Sequence, residues 1–142
     1  MSEPVPRLLL DTHALLWTIA GELSATVTRI VDATDAEAGL CVSAISIWEI
    51  GMLFRKPPPR RLVYDGGLGA LIAKIRSRSK FVEVPLSIQI AAAVDDLAET
   101  LHPDPADRFL VATAQVLDIP IMTRDRAILA YAKTGAVRAI AC

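Results

Sequence analysis

Five carboxylates of this sequence stand where a buried strand would end or a helix would begin. They are Asp11, Glu49, Asp104, Asp107 and Asp125. In parallel sheets, ligands bind beyond the carboxyl ends of the strands, so these side chains can gather at one edge of such a sheet. Gathered carboxylates repel one another by up to about 4 kcal/mol per close pair at an effective dielectric constant of about 20, and a hard divalent cation offsets that repulsion. Carboxylates without histidine or cysteine favour Mg²⁺ or Mn²⁺ over zinc.

A divalent metal held by carboxylates suits the hydrolysis of phosphodiesters. Such a metal can hold the scissile phosphate, lower the pKa of a bound water and stabilise the leaving oxygen. No histidine base is then needed, and the two histidines, His13 and His102, stand in no Ser–His–Asp or Cys–His arrangement. The sequence has no Gly-x-x-x-x-Gly-Lys loop and no dinucleotide fingerprint, which removes most support for an enzyme that uses a nucleotide cofactor.

Each acid also has a structural explanation, because short polar side chains are preferred at the N-termini of helices. Taken singly, each position is better explained by helix capping, whereas all of them together at one sheet edge favour a metal site. The predicted caps are Asp11 or Thr12, the Ser-x-x-Glu capping box of Ser46 and Glu49, Asp104 before Pro105, and Asp125.

Short apolar runs alternate with longer helical patterns along the chain. We predict five strands over residues 7–10, 40–42, 81–84, 119–122 and 137–140. We predict seven helices over residues 12–20, 25–36, 45–54, 68–78, 87–99, 105–117 and 126–133. This alternation is typical of a three-layer α/β domain with a central, mostly parallel sheet of about five strands flanked by helices. Trp17 and Trp48 fall on apolar helix faces and are predicted to belong to the core.

Length and composition describe a globular protein of ordinary size. The chain has 142 residues, of which 53% are hydrophobic and 22% charged, which excludes intrinsic disorder and suits one domain over residues 1–142. Its two cysteines exclude a disulfide-rich secreted scaffold. Charged residues interrupt every apolar run before the ~20 residues that a membrane-spanning helix needs. We therefore expect a cytoplasmic protein with no membrane partner.

The formal net charge is −1, but basic residues are concentrated in one segment. Between Arg55 and Lys80 there are eight basic residues and one acidic residue. A basic segment on an acidic body suits a polyanion or an acidic partner peptide, and a solvated loop and helix face explains it equally well.

Four segments of the sequence together resemble a known family. They are Leu8-Leu-Leu-Asp-Thr-His13, Ser43-Ala-Ile-Ser-Ile-Trp-Glu-Ile50, His102-Pro-Asp-Pro-Ala-Asp-Arg-Phe-Leu-Val-Ala-Thr-Ala114 and Met122-Thr-Arg-Asp125. In this order and spacing, over essentially the whole chain, they look like a PIN-domain ribonuclease. More narrowly, they look like the VapC-type toxins of prokaryotic toxin–antitoxin pairs.

The resemblance implies a Rossmann-like PIN fold, endoribonuclease activity that depends on Mg²⁺ or Mn²⁺, and inhibition by a cognate antitoxin protein. It also implies a homodimer, which the family usually forms. By position, the four catalytic acids of the family correspond to Asp11, Glu49, Asp107 and Asp125. Asp11, Asp107 and Asp125 are the expected metal ligands.

Supporting roles follow from the same resemblance. Thr123 matches the hydroxyl of the family's Thr-x-Asp motif and is expected to orient a carboxylate or a water. Thr12 and Ser43 are expected to act similarly, and Asp104 to cap its helix or support a metal ligand. The basic residues expected to contact either RNA or the antitoxin are Arg55, Lys56, Arg60 and Arg61.

Two other interpretations stay open from the sequence. One is a PIN-like module that binds RNA or protein without cleaving it, although such a module has little use for a repulsive group of carboxylates. The other is a metal phosphohydrolase or a receiver-like phosphoacceptor domain, which also places acids at strand ends. A receiver needs an aspartate after its third strand and a late lysine. Residues 81–85 end without that aspartate, and residues 121–125 offer no lysine.

Overall fold

Strands and helices alternate along the chain as the sequence predicts. The structure, a computed structural model, describes residues 4–78, 80–99, 101 and 104–142. The strands are β1 (Leu8–Leu10), β2 (Leu40–Ser43), β3 (Phe81–Val84), β4 (Ile121–Thr123) and β5 (Ala139–Ala141). The helices are α1 (Thr12–Ala20), α2 (Ala25–Glu37), α3 (Ala44–Phe54), α4 (Gly67–Arg76), α5 (Ile88–Val94), α6 (Pro105–Leu117) and α7 (Arg126–Ala132).

The five strands form one sheet in the order β3-β2-β1-β4-β5, and every neighbouring pair is parallel. The chain therefore builds β1, β2 and β3 outward in one direction and then returns to add β4 on the other side of β1. Leu9 lies opposite Cys41 on β2 and opposite Ile121 on β4. The reversal between β1 and β4 is the place where open α/β sheets form their ligand-binding crevice.

Alternate residues of the strands pack on opposite faces of the sheet, which produces the three predicted layers. Leu9 and Ile121 belong to a core cluster that includes residues of α5, α6 and α7. Leu8, Leu10 and Met122 belong to a second cluster that includes residues of α1, α2 and α4. All three residues of β1 are buried, as expected of a central strand covered on both faces.

Several helix ends agree with the sequence because capping residues define them locally. α1 begins after Asp11, whose side chain accepts a hydrogen bond from the Ala14 backbone N–H, and it ends at Gly21 in the left-handed conformation. α6 begins after Asp104, with Pro105 in its first turn, and runs to Leu117 as predicted.

The prediction for the fifth helix is wrong at its C-terminal end, because α5 stops at Val94 instead of continuing to residue 99. The backbone carbonyls that follow are taken up by the side chain of Arg108 on α6. Its guanidinium donates to the carbonyl of Ala98 at 2.9 Å and to those of Val94 and Leu97 at 3.4 Å. A contact between helices therefore replaces the continued helical hydrogen bonds.

The fourth strand begins at Ile121 instead of residue 119. The backbone N–H of Ile119 donates to the Ala114 carbonyl and so closes the end of α6, where Asp118 adopts the left-handed conformation. Pro120 has no N–H with which to join the sheet. β5 is similarly displaced and begins at Ala139.

Among the described residues, no single helix has the length and apolar composition needed to cross a membrane. Only α1 and α2 taken together pass that test, as a pair bent by 99°.

Gly39, which precedes β2, has a φ angle of +126° and a crowded surrounding. A Cβ there would meet Val82 Cγ2 at 3.0 Å and the Lys80 carbonyl at 3.1 Å. We expect Gly39→Ala to lower the free energy of unfolding by about 1–3 kcal/mol, because an L side chain strains this backbone conformation. Urea unfolding measures this change.

The matched control is Gly69→Ala within α4, where a Cβ meets nothing within 4 Å. This substitution should raise the free energy of unfolding by about 0.5–1 kcal/mol, since alanine is the better helix former. Equal effects of the two substitutions would contradict the conformation described for Gly39.

Candidate active site

The five acids singled out from the sequence lie together at the carboxyl end of the sheet. They line one open cleft of about 410 Å³, here called the carboxylate cleft. Its acidic lining residues are Asp11, Glu49, Asp104, Asp107 and Asp125. The same cleft is lined by Thr12, His13, Trp17 and Arg124. The predicted gathering of carboxylates at one sheet edge is therefore present.

Asp11 is at the centre of this arrangement, immediately after β1 and only 6% exposed. Its backbone N–H donates to the Met122 carbonyl at 3.1 Å, which continues the pairing of β1 with β4. Its Oδ1 accepts from the Ala14 backbone N–H at 2.7 Å, and its Oδ2 accepts from the Thr123 hydroxyl. One carboxylate oxygen is thus oriented by the first turn of α1 and the other by the end of β4.

Burial raises the pKa of Asp11 above its ordinary value. The hydrogen bonds from Thr123 and Ala14 and the nearby His13 act in the opposite direction, and the charge of Asp125 adds to the increase. A carboxylate here carries a desolvation penalty that its hydrogen bonds only partly offset.

Glu49 lies on α3, beside the first turn of α1. Its Oε1 accepts a hydrogen bond from the Thr12 hydroxyl, whose oxygen also lies 3.0 Å from Ser46 Oγ. Because a hydroxyl has one proton and a carboxylate can only accept, Thr12 donates to Glu49 and the Ser46 proton bridges the two hydroxyls. Burial is the main cause of a raised Glu49 pKa, and the charges of Asp104 and Asp11 add to it.

The remaining acids are positioned by helix N-termini. Asp104 caps α6 by accepting from the Ala106 N–H at 2.9 Å, and Asp107 lies in the first turn of the same helix. Asp125 caps α7 by accepting from the Ile128 N–H at 2.9 Å. Helix N-termini favour negative charge, so α6 and α7 each stabilise the carboxylates at their own N-terminus and partly offset the repulsion among the acids of the cleft.

Ser43 and Ser46 differ from the expectations for them. The Ser-x-x-Glu capping box is wrong, because Ser43 is the N-cap of α3 and Ser46 lies inside the helix. Ser43 is fully buried and accepts from the Ile45 N–H at 3.1 Å, so it caps α3 and is not one of the residues that line the cleft.

A model of the PIN domain family matches residues 8–134, the span that contains all five acids. The chain belongs to the PIN domain family. The family named from the sequence motifs is therefore confirmed. No curated protein matches the sequence at a significant level.

Solved structures share the fold of this PIN domain. It is similar to a chain of VapBC2 from Rickettsia felis bound to a promoter DNA fragment, with TM-score 0.71, 11% identity, and coverage of 96% of this chain and 98% of that one. It is also similar to a chain of DNA-bound VapBC from Salmonella typhimurium, with TM-score 0.67, 16% identity, and coverage of 95% and 97%. A third similar structure is a chain of VapBC-1 from nontypeable Haemophilus influenzae, with TM-score 0.65, 14% identity, and coverage of 95% of this chain and 97% of that one.

The donor set of the PIN domain fits a hard divalent cation in its chemistry. Carboxylate oxygens are the ligands that Mg²⁺ and Mn²⁺ prefer, and the raised pKa values of Asp11 and Glu49 mark a place where negative charge lacks compensation. Within the part of the chain that the structure describes, no three His, Cys, Asp or Glu side chains are already arranged around a common ion position. Side-chain rotation would have to complete the coordination.

The basic residues selected from the sequence stand apart from the cleft. They are Arg55, Lys56, Arg60 and Arg61, which lie in the exposed chain after α3. Farther along the basic segment, Arg76 forms an ion pair with Glu83, and Arg78 forms one with Asp32 at 3.4 Å. Contact of the first group with RNA or a partner stays a prediction. His102 of the third motif lies outside the described residues.

Sequence reasoning missed three residues that line the carboxylate cleft. His13 and Trp17 lie one helical turn apart on α1, with ring centroids 5.7 Å apart. The Arg124 guanidinium carbon lies 3.7 Å from the Trp17 ring centroid. A sequence signal was available for two of them, because His13 follows Asp11 by two residues and Arg124 lies between Thr123 and Asp125. The core prediction for Trp48 is wrong, since it is 55% exposed on α3, and Trp17 is only half-buried.

Glu49→Gln should raise the free energy of unfolding at pH 7 in EDTA. Glutamine keeps the hydrogen bond from Thr12 and removes the buried charge. Because the folded state raises the pKa of Glu49, the contribution of Glu49 to wild-type stability falls as pH rises from the ordinary value of 4.5 through the raised value, and the variant lacks this loss. Urea unfolding at pH 4 and pH 7 measures the difference.

Glu22→Gln, at an exposed position, is the matched control and should change stability little at either pH. If the stability difference between Glu49→Gln and wild type were the same at pH 4 and pH 7, the proposed burial cost at Glu49 would be wrong.

Proposed function

We propose that this PIN domain is a metal-dependent endoribonuclease that acts as the toxin of a toxin–antitoxin pair. The observation that carries the proposal is the placement of Asp11, Glu49, Asp107 and Asp125 in one cleft at the β1–β4 reversal. A group of carboxylates without a histidine or cysteine among them suits phosphodiester hydrolysis assisted by Mg²⁺ or Mn²⁺.

The four acids divide between two roles in this proposal. Asp11, Asp107 and Asp125 would hold the divalent ion, which when bound supplies an activated water and stabilises developing charge on the phosphate. Thr123 holds Asp11 Oδ2 in place, and Thr12 does the same for Glu49 Oε1. Glu49, whose pKa burial raises, is suited to take up a proton close to the reacting phosphate.

The likeness to chains of VapBC complexes supports a protein partner for the cleft. On α3, the same turn that holds Glu49 exposes two large apolar side chains, Trp48 at 55% and Met52 at 37%. We propose that a cognate antitoxin packs on this pair and covers the carboxylate cleft. A homodimer, a single domain over residues 1–142 and a cytoplasmic location belong to the same proposal.

A second candidate is a PIN-like module that binds RNA or protein without cleavage. The observation that favours it is the lack, among the described residues, of three side chains already arranged to hold an ion. Cleavage assays with added metal distinguish the two candidates.

Asp107→Asn should abolish metal-dependent cleavage of a labelled structured RNA pool. Loss of a residue that only hydrogen-bonds a metal ligand typically reduces activity about 10–100-fold. Because Asp107 is expected to bind the metal itself, its loss should reduce the rate by more than that. The assay compares Mg²⁺, Mn²⁺ and EDTA by gel electrophoresis. The matched control is Asp118→Asn at the opposite end of α6, where the side chain is 95% exposed.

Asp118→Asn should cleave like wild type. Metal binding without cleavage by wild type would favour the non-cleaving module or a different RNA. If Mn²⁺ neither bound the protein nor raised its melting temperature, the five carboxylates would have structural roles only.

Replacing Trp48 and Met52 together by serine should prevent a stable complex with the protein encoded by the neighbouring reading frame. The loss of buried apolar area in an interface is the reason. Co-expression, affinity purification and size-exclusion chromatography with light scattering measure the complex and the oligomeric state. Ile88→Ser, at a 90% exposed apolar residue at the start of α5, is the control and should leave the complex intact. If the Trp48/Met52 variant and Ile88→Ser formed the complex equally well, the partner would bind elsewhere on the surface.

A further inference from the structure

Arg124 stands between two residues that are tied to the centre of the carboxylate cleft. The hydroxyl of Thr123 donates to Asp11 Oδ2 and accepts from the backbone N–H of Asp125 at 3.0 Å. Asp125 in turn caps α7. The backbone of Arg124 is therefore anchored near Asp11, on the wall of the cleft formed by the end of β4.

The side chain of Arg124 is held as firmly as its backbone. Its guanidinium carbon lies 3.7 Å from the Trp17 ring centroid, and its Nε donates to the Cys142 carbonyl at 3.0 Å. A cation stacked on an aromatic face and fixed through one nitrogen keeps a defined plane. Arg124 nevertheless remains exposed and lines the carboxylate cleft.

An oriented positive charge has a specific use in this cleft. An RNA strand carries phosphates on both sides of the scissile one, and in this cleft they would face the negative charge of the carboxylates that line it. A metal at the acids would neutralise only the phosphate that it holds. The planar guanidinium fork matches phosphate oxygens, so an arginine on the cleft wall can hold a neighbouring phosphate.

A second groove shows where the strand can continue. It has a volume of about 370 Å³ and shares His13 and Trp17 with the carboxylate cleft. Its lining is otherwise mainly apolar and includes Leu62 and Tyr64. Aromatic side chains beside a positive charge are typical of surfaces that bind unpaired nucleotides.

We propose that Arg124, laid on Trp17, is a positioning residue that binds the phosphate next to the scissile one and directs single-stranded RNA into the groove beside α1. The proposal rests on the ribonuclease function proposed above. It adds a substrate-strand subsite, made by the Trp17–Arg124 stack, to the acids that do the chemistry.

The test compares wild type with Arg124→Gln, Arg124→Lys, Trp17→Leu and Trp17→Phe. Binding of a fluorescein-labelled single-stranded RNA of mixed sequence is followed by anisotropy in Ca²⁺ over a series of salt concentrations, with cleavage checked in the same samples. KM and kcat are measured in Mg²⁺ or Mn²⁺, and melting temperatures establish folding. The control is Arg138→Gln, an exposed arginine that also donates to a backbone carbonyl but lies beside Asp118, away from the cleft.

Arg124→Gln should reduce the salt-dependence slope of RNA binding by about one charge and raise KM about tenfold or more, with kcat changed much less. Arg124→Lys should restore the slope but not the full KM, because lysine cannot stack flat on Trp17. Trp17→Leu should raise KM and leave the salt-dependence slope of RNA binding unchanged. Trp17→Phe should stay close to wild type in both. Arg138→Gln should behave as wild type.

Three results would overturn the proposal in distinguishable ways. If Arg124→Gln lowers only the melting temperature and leaves slope and KM unchanged, Arg124 is a structural clamp between α1 and the end of β5. If it leaves RNA binding unchanged and weakens only the antitoxin complex, its ligand is a protein. If wild type neither binds nor cleaves RNA, the proposed ribonuclease function fails as well.

Discussion

The hydrogen bond between Thr123 and Asp11 holds together the part of the molecule on which its chemistry depends. It joins the last residue of β4 to the residue after β1, across the point where the order of strands reverses. Burial disfavours the Asp11 carboxylate, and this bond together with the Ala14 N–H is what stabilises its charge. The position of Asp125, through the same hydroxyl, follows from it.

Helix capping and acid clustering turn out to be the same arrangement and not alternatives. Asp11, Asp104 and Asp125 each cap a helix, and each also lines the carboxylate cleft. In a parallel sheet the following helix begins where the strand ends, so a capping acid is brought to the ligand edge automatically. The helix N-termini then lower the electrostatic cost of placing several carboxylates together.

Local signals made part of this structure predictable from sequence. Caps and prolines define both ends of α1 and of α6, and strand-end positions locate the five acids. Features that depend on distant contacts were not accessible. The end of α5 is determined by Arg108, and the exposure of Trp48 depends on which face of α3 lacks a neighbour. The stack of Arg124 on Trp17 joins residues more than a hundred positions apart, and no local pattern reports such a pair.

The large separation along the chain between Asp11 and Thr123, 112 residues, also has a consequence for the timing of activity. Contacts of this range carry a large entropic cost of loop closure, because a long stretch of chain must be ordered to bring the two residues together. During synthesis, β1, β2 and β3 can pair before β4 has been made. A chain that has not yet been translated past Asp125 has no complete carboxylate cleft. The carboxylate cleft is therefore completed only after β4 and Asp125 have been made and β4 has paired with β1.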